Sequence, residues 1–305
     1  MHPRNPYNTP PDFRALSQSF PPLAPYVFVN QTGQPTINFK DTEAQRYLTQ
    51  ALLYRDFHIK VEIPPDRLCP AVPNRLNYIL WIQDILAVHE DGSLLDRSIR
   101  GIDIGTGASV IYPLLGCSLS PNWMFIATDI DPQSLIIAER NVASNGLQNR
   151  IIIKQSTPQG TILRHLLEDN GIGVCGFVMC NPPFYASKDE VIKATEDKEF
   201  DPNAVCTGAD VEMITEGGEV GFVKRMIEES ASVGRRCQWF TSLLGKHTSI
   251  ASLVEILHSL KVDNYGVTEF IQGHTRRWGI IWSFGDARLP DVGFRMKFGA
   301  YFNPG

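Results

Sequence analysis

The sequence lacks any long run of apolar residues. No stretch of its 305 residues approaches the roughly 18 uninterrupted apolar residues that a membrane-spanning helix needs. The first residues, MHPRNPYNTPPDF, are polar and contain no apolar core of a signal peptide. Both patterns predict a chain without a membrane segment. The composition, 43% hydrophobic and 20% charged, is typical of a soluble globular protein.

Cysteine and positive charge are also scarce. The six cysteines include no C-x-x-C pair and no metal-ligand spacing, so the sequence predicts no metal centre and reduced thiols in an intracellular protein. The net charge is −5 at pH 7. This excludes a surface uniformly covered with phosphate contacts, whereas a few basic residues clustered in one groove would still bind a nucleic acid.

Three segments of the chain differ in their pattern. Residues 1–40 contain many prolines and little periodicity, so we predict an extended N-terminal arm that wraps the body or waits for a partner. Residues 41–98 predict a helical extension, with one helix that begins at Asp41 or Thr42 and a second that begins near Asn74. Residues 99–305 form the predicted core.

Short apolar runs alternate with longer amphipathic ones in this core. The runs IRGIDIG, MFIATDI, RIIIKQ, GFVMC and RCQWFTSLLG predict strands, and the segments between them, TILRHLLED among them, predict helices. Such alternation indicates an α/β fold with helices on both faces of a parallel sheet. YGVTEFIQ and RRWGIIWSF follow one another without a helix, which predicts one antiparallel edge strand. This is the Rossmann-like plan of class I methyltransferases, with a mostly parallel seven-stranded sheet.

The stretch GIDIGTGAS offers a cofactor site at a strand-to-helix turn. Asp103 closes the predicted strand, and Gly105 and Gly107 let the backbone approach a ligand. A dinucleotide fingerprint would place a third glycine where this chain has Val110, so the pattern favours S-adenosylmethionine over NAD. The alternative is a glycine turn without a ligand.

An acidic residue closes the next predicted strand. Asp129 in ATDID is placed to accept the ribose hydroxyls of an adenosyl cofactor. Asp131 precedes Pro132 and therefore fits the N-cap of the following helix better than Asp129 does. We therefore predict Asp129 as the cofactor ligand.

The stretch CNPPFYAS follows the predicted strand GFVMC. Two prolines end the strand and stiffen the turn. Asn181 and the carbonyl of Pro182 provide two acceptors for an exocyclic amino group, and Phe184, with Tyr185 beside it, can stack on a planar base. The alternative is a structural turn with a packed aromatic ring.

Motifs along nearly the whole chain carry a family resemblance. They are HPRN, PPDF, INFKD, VPNRLNYI, GIDIGTGAS, IYPLLG, CNPPF, EGGE, FVKR, QGHTRRW and WSF. With them the chain resembles the methyltransferase domain of the methyltransferase-like 16 family, the eukaryotic U6 small nuclear RNA adenine-N6 methyltransferases. It also resembles bacterial relatives that methylate an adenine of large-subunit ribosomal RNA.

The resemblance implies specific roles for residues of this chain. It implies an S-adenosylmethionine pocket lined by Arg75, Gly107, Asp129, Thr161 and Asn181. It implies a catalytic stretch formed by Asn181, Pro182, Pro183 and Phe184. It implies contacts to RNA from Arg4, Lys40, Arg276 and Arg277, each of which is alternatively a solvated surface charge.

Three departures from the family pattern accompany these implications. Gly160 stands where relatives have a lysine, on a loop that gates the cofactor pocket there. The segment after CNPPF is acidic, where animal relatives carry a basic proline-rich insert. The chain ends at Gly305, before the C-terminal RNA-binding regions of vertebrate relatives.

The expected function is formation of N6-methyladenosine in structured RNA, with a U6 hairpin as the first candidate partner. The protein is expected to be a monomer and to act in the nucleus, and a cytoplasmic location is also left open. Other readings of N-P-P-[FY] remain. The same motif serves enzymes that act on ribosomal adenine, on guanine N2 or on a glutamine amide of release factors. An RNA-binding regulator in which methylation is secondary is a further alternative.

Overall fold

A computed structural model gives the structure of the chain. The structure describes residues 1–87, 98–158, 160–164, 174–196, 208–272 and 275–289. Most of the helix predicted for TILRHLLED lies outside the described residues. Within them, no helix has both the length and the apolar character that a membrane span requires.

Nine strands and nine α-helices are defined in these residues. The strands are β1 (Val27–Val29), β2 (Pro35–Ile37), β3 (Ile99–Ile104), β4 (Trp123–Asp129), β5 (Ile151–Gln155), β6 (Cys175–Cys180), β7 (Cys237–Leu244), β8 (Tyr265–Gln272) and β9 (Thr275–Trp282). The helices are α1 (Phe13–Ser19), α2 (Thr42–Phe57), α3 (Val72–Ala87), α4 (Ile111–Leu119), α5 (Pro132–Ser144), α6 (Lys188–Glu196), α7 (Asp210–Met213), α8 (Gly218–Val233) and α9 (Ser249–Ser259).

The helix ends follow local capping chemistry. Asp41 caps α2, since its side chain accepts hydrogen bonds from the backbone N–H groups of Glu43 and Ala44. Asp131 caps α5 in the same way, with Pro132 at the first helical position. Both caps confirm the sequence prediction, and the second leaves Asp129 outside the helix.

Seven strands form the central sheet, in the order β5-β4-β3-β6-β7-β9-β8. The pairs among β3 to β7 are parallel, while β9 is antiparallel to both of its neighbours. The prediction of a seven-stranded, mostly parallel sheet is confirmed. The prediction that the antiparallel strand lies at the edge was wrong: β9 lies inside, between β7 and β8. β9 pairs with β8 along its whole length and with β7 on its other side.

Buried residues cover both faces of the sheet. Alternate side chains of β6 enter two different clusters: Phe177 and Met179 join one, and Val178 and Cys180 join the other. This alternation is the two-residue period of a strand. The first cluster includes the apolar side of α3, and the second includes that of α9.

Residues 1–40 pack on the body, as one of the predicted alternatives has it, but the prediction that this segment is extended was wrong. Residues 13–19 form α1, β1 pairs with β2 in a small antiparallel hairpin, and Leu16 and Leu23 are completely buried. The apolar residues of this segment have enough area to pack against the body, which offsets the entropy of ordering it. Prolines here begin short 3-10 helices rather than keep the chain extended.

Candidate active site

The turn between β3 and α4 has the glycine backbone that the sequence predicts. Gly105 has φ +71° and Gly107 has φ +63°, a region that favours glycine. The N–H groups of Gly105 and Thr106 each donate a hydrogen bond of 2.9 Å to the carbonyl of Thr128. These bonds tie the turn to the end of the neighbouring strand β4.

Asp129 lies directly beside this turn. Its Oδ2 accepts a hydrogen bond of 2.8 Å from the N–H of Gly107, and its Oδ1 accepts one of 3.0 Å from the N–H of Asp131. Burial raises the pKa of Asp129 above its ordinary value, and the two backbone donors oppose that shift. The carboxylate is therefore fixed at the carboxyl end of β4, where the sequence predicts a ribose ligand.

A cavity of about 450 Å³ opens at the carboxyl ends of β3, β4 and β6. Open α/β sheets bind ligands where the strand order reverses. In this sheet the order reverses at β3, with β4 on one side of it and β6 on the other. Six of the seven residues predicted to bind the cofactor line it: Arg75, Gly105, Gly107, Asp129, Thr161 and Asn181.

Asp103 is the predicted cofactor residue that the structure does not place on the cavity wall. It is fully buried in β3, and neither carboxylate oxygen has a hydrogen-bond partner of normal geometry among the described residues. Its pKa is raised to about 7, chiefly by burial and also by the nearby Asp129 carboxylate, while the Thr106 side chain and the positive charge of Arg75 act in the opposite direction. Asp103 is therefore a buried acid whose pKa is coupled to the cavity residues Asp129 and Arg75.

Three polar atoms at the cavity wall lack hydrogen-bond partners within the described part of the chain. They are the hydroxyls of Thr106 and Tyr112 and the Oδ1 of Asn181, and all three residues line the cavity. A buried polar atom without a partner is costly, so a ligand that pairs with it gains affinity. Arg75 lies 5.6 Å from the centre of the Tyr112 ring and brings positive charge to the same wall.

The end of β6 is anchored immediately before Asn181. The hydroxyl of Tyr78, on α3, accepts a hydrogen bond of 3.2 Å from the N–H of Cys180 and lies 2.7 Å from the hydroxyl of Thr241 on β7. Pro182 is buried. The two prolines and this anchor hold the Asn181 amide in a fixed place at the cavity wall.

The ring of Phe184 does not line this cavity and lies next to β9. The guanidinium of Arg277 lies 5.4 Å from the ring centre, and Phe184 lines a second cavity of about 250 Å³ together with the start of α8 and with Lys246. The Lys246 ammonium lies 5.9 Å from the centre of the Tyr185 ring. Arg277 and Lys246 thus bring positive charge to the two aromatic side chains predicted to stack on a base.

A segment that the sequence analysis did not identify closes part of the pocket. Tyr185 pairs with residues of α7 and beyond: its N–H donates to the carbonyl of Met213, and its carbonyl accepts from the N–H of Thr215. The Oε2 of Glu212 accepts hydrogen bonds of 2.9 and 2.8 Å from the N–H groups of Leu68 and Ala209. Burial raises the pKa of Glu212. No periodicity in this acidic stretch indicated that it lines a pocket.

The other predicted RNA contacts are dispersed. Arg276 is exposed and pairs with Glu269 at 3.0 Å. Lys40 is exposed just before α2. The guanidinium of Arg4 donates to the carbonyl of Leu80 at 3.1 Å and to the side chains of two other residues of α3, Gln83 and Asp84. Among the predicted basic residues, the structure brings Arg277 to Phe184 of the predicted catalytic stretch and fixes Arg4 to the C-terminal half of α3.

No group of metal-ligating side chains is assembled in the part of the chain that the structure describes. A family model described as RNA methyltransferase matches residues 1–286.

The chain belongs to this RNA methyltransferase family. A curated relative, the human RNA N(6)-adenosine-methyltransferase METTL16, is 43% identical over 291 residues, which are 94% of this chain and 51% of the relative. The U6 small nuclear RNA (adenine-(43)-N(6))-methyltransferase of Schizosaccharomyces pombe is 42% identical over 248 residues, which are 81% of this chain and 62% of that protein. The chain therefore spans about half to three fifths of the length of these RNA methyltransferases.

Solved structures of the same family share the fold. The catalytic domain of human METTL16 in complex with the MAT2A 3′UTR hairpin 1 matches with a TM-score of 0.84 and 43% identity, over 94% of this chain and 96% of that one. The N-terminal domain of human METTL16 in complex with SAH matches with a TM-score of 0.79 and 41% identity, over 94% of this chain and 99% of that one. Both confirm the class I methyltransferase fold.

Proposed function

We propose that the chain is the catalytic domain of an S-adenosylmethionine-dependent RNA methyltransferase that forms N6-methyladenosine in structured RNA, with a U6 small nuclear RNA hairpin as the first substrate. The observation that carries the proposal is the Oδ1 of Asn181, which lies at the wall of the cavity without a hydrogen-bond partner among the described residues, three residues before the half-buried aromatic ring of Phe184. The METTL16 relatives and their complexes with an RNA hairpin and with SAH support it.

The residues at the cavity fit an adenosyl cofactor. Asp129 is fixed to accept the ribose hydroxyls, and the glycine turn at Gly105 and Gly107 leaves room for close backbone approach. Arg75 brings a positive charge that suits the carboxylate end of the cofactor. When bound, the cofactor supplies an electrophilic methyl group from a sulfonium that leaves as a neutral thioether.

The catalytic loop orients the accepting amine. A target adenosine turned out of its stack places its N6 amino group at the end of β6. There the Oδ1 of Asn181 and the carbonyl of Pro182 accept its two N–H groups, which leaves the nitrogen lone pair directed into the cavity. Phe184, with Tyr185 next to it, stacks on the base. After transfer, N6 releases a proton to solvent.

RNA reaches this site along the basic residues of the surface. Arg277 beside Phe184 is the best placed to hold a phosphate next to the target base, with Arg276 on the same strand. Arg4 and Lys40 extend the proposed contact to the N-terminal part of the chain. We further propose that the protein acts as a monomer and in the nucleus, where U6 small nuclear RNA is modified.

The test is transfer of labelled methyl from S-adenosylmethionine to a U6 hairpin, beside a matched hairpin in which the candidate adenosine is replaced by guanosine. Label on the first RNA alone, recovered as N6-methyladenosine after digestion, is the expected result. Label on neither, with the cofactor demonstrably bound, contradicts the proposed substrate. Ribosomal RNA and release factor are then the substrates to compare. Label recovered as N2-methylguanosine contradicts the proposed base.

A further inference from the structure

The motif EGGE, residues 216–219, opens α8. Its first residue, Glu216, lines the cofactor cavity, whereas its last, Glu219, has no role in the site described above. Gly217 has φ +71° and Gly218 has φ +59°, so the chain enters the helix through two left-handed residues. Glu219 follows them in the first turn and is only 2% exposed. A carboxylate is rarely this deeply buried unless nearby donors compensate it.

Three donors from one loop surround this carboxylate. Its Oε2 accepts a hydrogen bond of 2.6 Å from the N–H of Gly245, and its Oε1 accepts bonds of 3.0 and 2.5 Å from the N–H of Lys246 and the hydroxyl of Ser249. Hydrogen bonds to an ionised acceptor are short and roughly twice as strong as neutral ones. Glu219 therefore clamps the loop between β7 and α9 onto the start of α8.

Both sides of this clamp touch the catalytic loop. A Cβ placed on Gly245 would lie 3.0 Å from a ring carbon of Phe184 and 3.1 Å from the Oε2 of Glu219. A Cβ placed on Gly218 would lie 3.3 Å from the carbonyl oxygen of Phe184 and 3.4 Å from the backbone N of Ala186. The two glycines thus allow the clamped segments to pack directly against the ring and the backbone of Phe184.

We propose that Glu219 is a positioning residue for the target base: by holding Gly245 against the ring of Phe184, it fixes the orientation in which that ring stacks on the base. The inference rests on the proposed function. It differs from a general role in stability because the three donors, which lie between the end of β7 and the start of α9, are outside the cofactor cavity, and one of them, Gly245, packs against the Phe184 ring.

Glu219→Gln tests the clamp with the smallest change in shape. The glutamine amide replaces one acceptor oxygen by an NH₂ group, which then faces an N–H or O–H donor. With saturating cofactor, we expect kcat on the hairpin to fall by about 10- to 100-fold, since a displacement of about 1 Å at the site has that effect. Affinity for S-adenosylmethionine, measured by calorimetry, is expected to stay within about twofold, because the clamp lies outside the cofactor cavity.

A fluorescent base separates positioning from stability. With 2-aminopurine in place of the target adenosine, stacking on Phe184 quenches the fluorescence in the wild-type complex, and Glu219→Gln is expected to reduce that quenching. Glu228→Gln is the matched control, because the same change on the same helix affects an exposed carboxylate paired with Lys224 at 3.8 Å. It is expected to leave kcat, quenching and melting temperature unchanged.

Each outcome decides the inference. A Glu219→Gln variant with a lower melting temperature but wild-type quenching and kcat would reduce Glu219 to a structural residue. If this variant does not fold, Gly245→Ala replaces it, because the new Cβ presses on both the Phe184 ring and the Glu219 carboxylate, the two groups that the clamp holds together, while the backbone N–H of residue 245 remains. Unchanged quenching and kcat in Gly245→Ala overturn the inference. A wild-type protein that transfers no methyl contradicts the proposed function itself, and this inference with it.

Discussion

The guanidinium of Arg277 lies 5.4 Å from the centre of the Phe184 ring. At this distance a cation is attracted to the face of an aromatic ring. The residue proposed to hold a phosphate of the RNA therefore already covers the ring proposed to stack on the target base. A base that stacks on this face has to displace the guanidinium of Arg277. The displaced guanidinium then lies beside the stacked nucleotide.

This contact predicts different effects for two neighbouring arginines. Arg277→Ala removes the charge next to the catalytic loop, so we expect RNA affinity to fall and the slope of log affinity against log salt to decrease by about 0.7 to 0.9, the contribution of one phosphate contact. Arg276→Ala removes a charge that is exposed and paired with Glu269. We therefore expect Arg276→Ala to lose less kcat/KM than Arg277→Ala does. Filter binding over a salt series and initial rates measure both. A larger loss in Arg276→Ala would contradict the proposed path of the RNA.

Arg4 is expected to contribute to stability through α3. Its guanidinium is hydrogen-bonded to three residues of that helix, Leu80, Gln83 and Asp84, and its side chain is 50% exposed. Because the contact is partly solvated, Arg4→Ala should destabilise the protein by only about 1 kcal/mol. Thermal unfolding measures this, and RNA binding over the same salt series tests the proposed RNA contact. An unchanged melting temperature with a reduced salt slope would mean that Arg4 serves RNA alone.

Asp103 predicts a pH dependence of stability. Its pKa is raised from 3.8 to about 7 by burial, so the folded protein holds a proton that the unfolded chain releases at lower pH. Between these two values the folded state binds more protons, and the contribution of Asp103 to stability falls as the pH rises from about 4 to about 7. The loss is on the order of a few kcal/mol, because each pKa unit corresponds to about 1.4 kcal/mol.

Asp103→Asn removes this titration. Urea unfolding at pH 5 and pH 8 should show a smaller loss of stability with rising pH in the variant than in the wild type. The comparison isolates Asp103, since Asp129 and Glu212, whose pKa values are also raised by burial, are the same in both proteins. Equal losses in the two proteins would show that Asp103 is not protonated in the folded state.

The cofactor side of the site could be predicted from the sequence because it is local. Strand, glycine turn and helix follow one another in GIDIGTGAS, and the choice between Asp129 and Asp131 depends on the neighbouring Pro132. Local chemistry of this kind is visible in a linear pattern. The fold class was predictable for the same reason, since strand and helix periods differ.

Features that depend on distant contacts could not be predicted in this way. The place of β9 inside the sheet is decided by pairing with β7, which lies more than thirty residues earlier in the chain. Packing of the proline-rich N-terminal segment depends on contacts with α3, and the part of Glu212 in the pocket depends on Leu68. In each case the partner is remote in sequence, so neither composition nor periodicity indicates it.

The central claim is that the Oδ1 of Asn181 accepts the N6 amino group, and single-turnover methyl transfer by Asn181→Ala tests it most directly. On the same hairpin, with the cofactor and RNA in excess of their dissociation constants, we expect the rate to fall by about 100-fold or more, as after loss of one preorganised hydrogen bond. RNA affinity, measured alongside, should fall by less than about tenfold, or ~1.4 kcal/mol. A variant that transfers methyl at the wild-type rate would contradict the account.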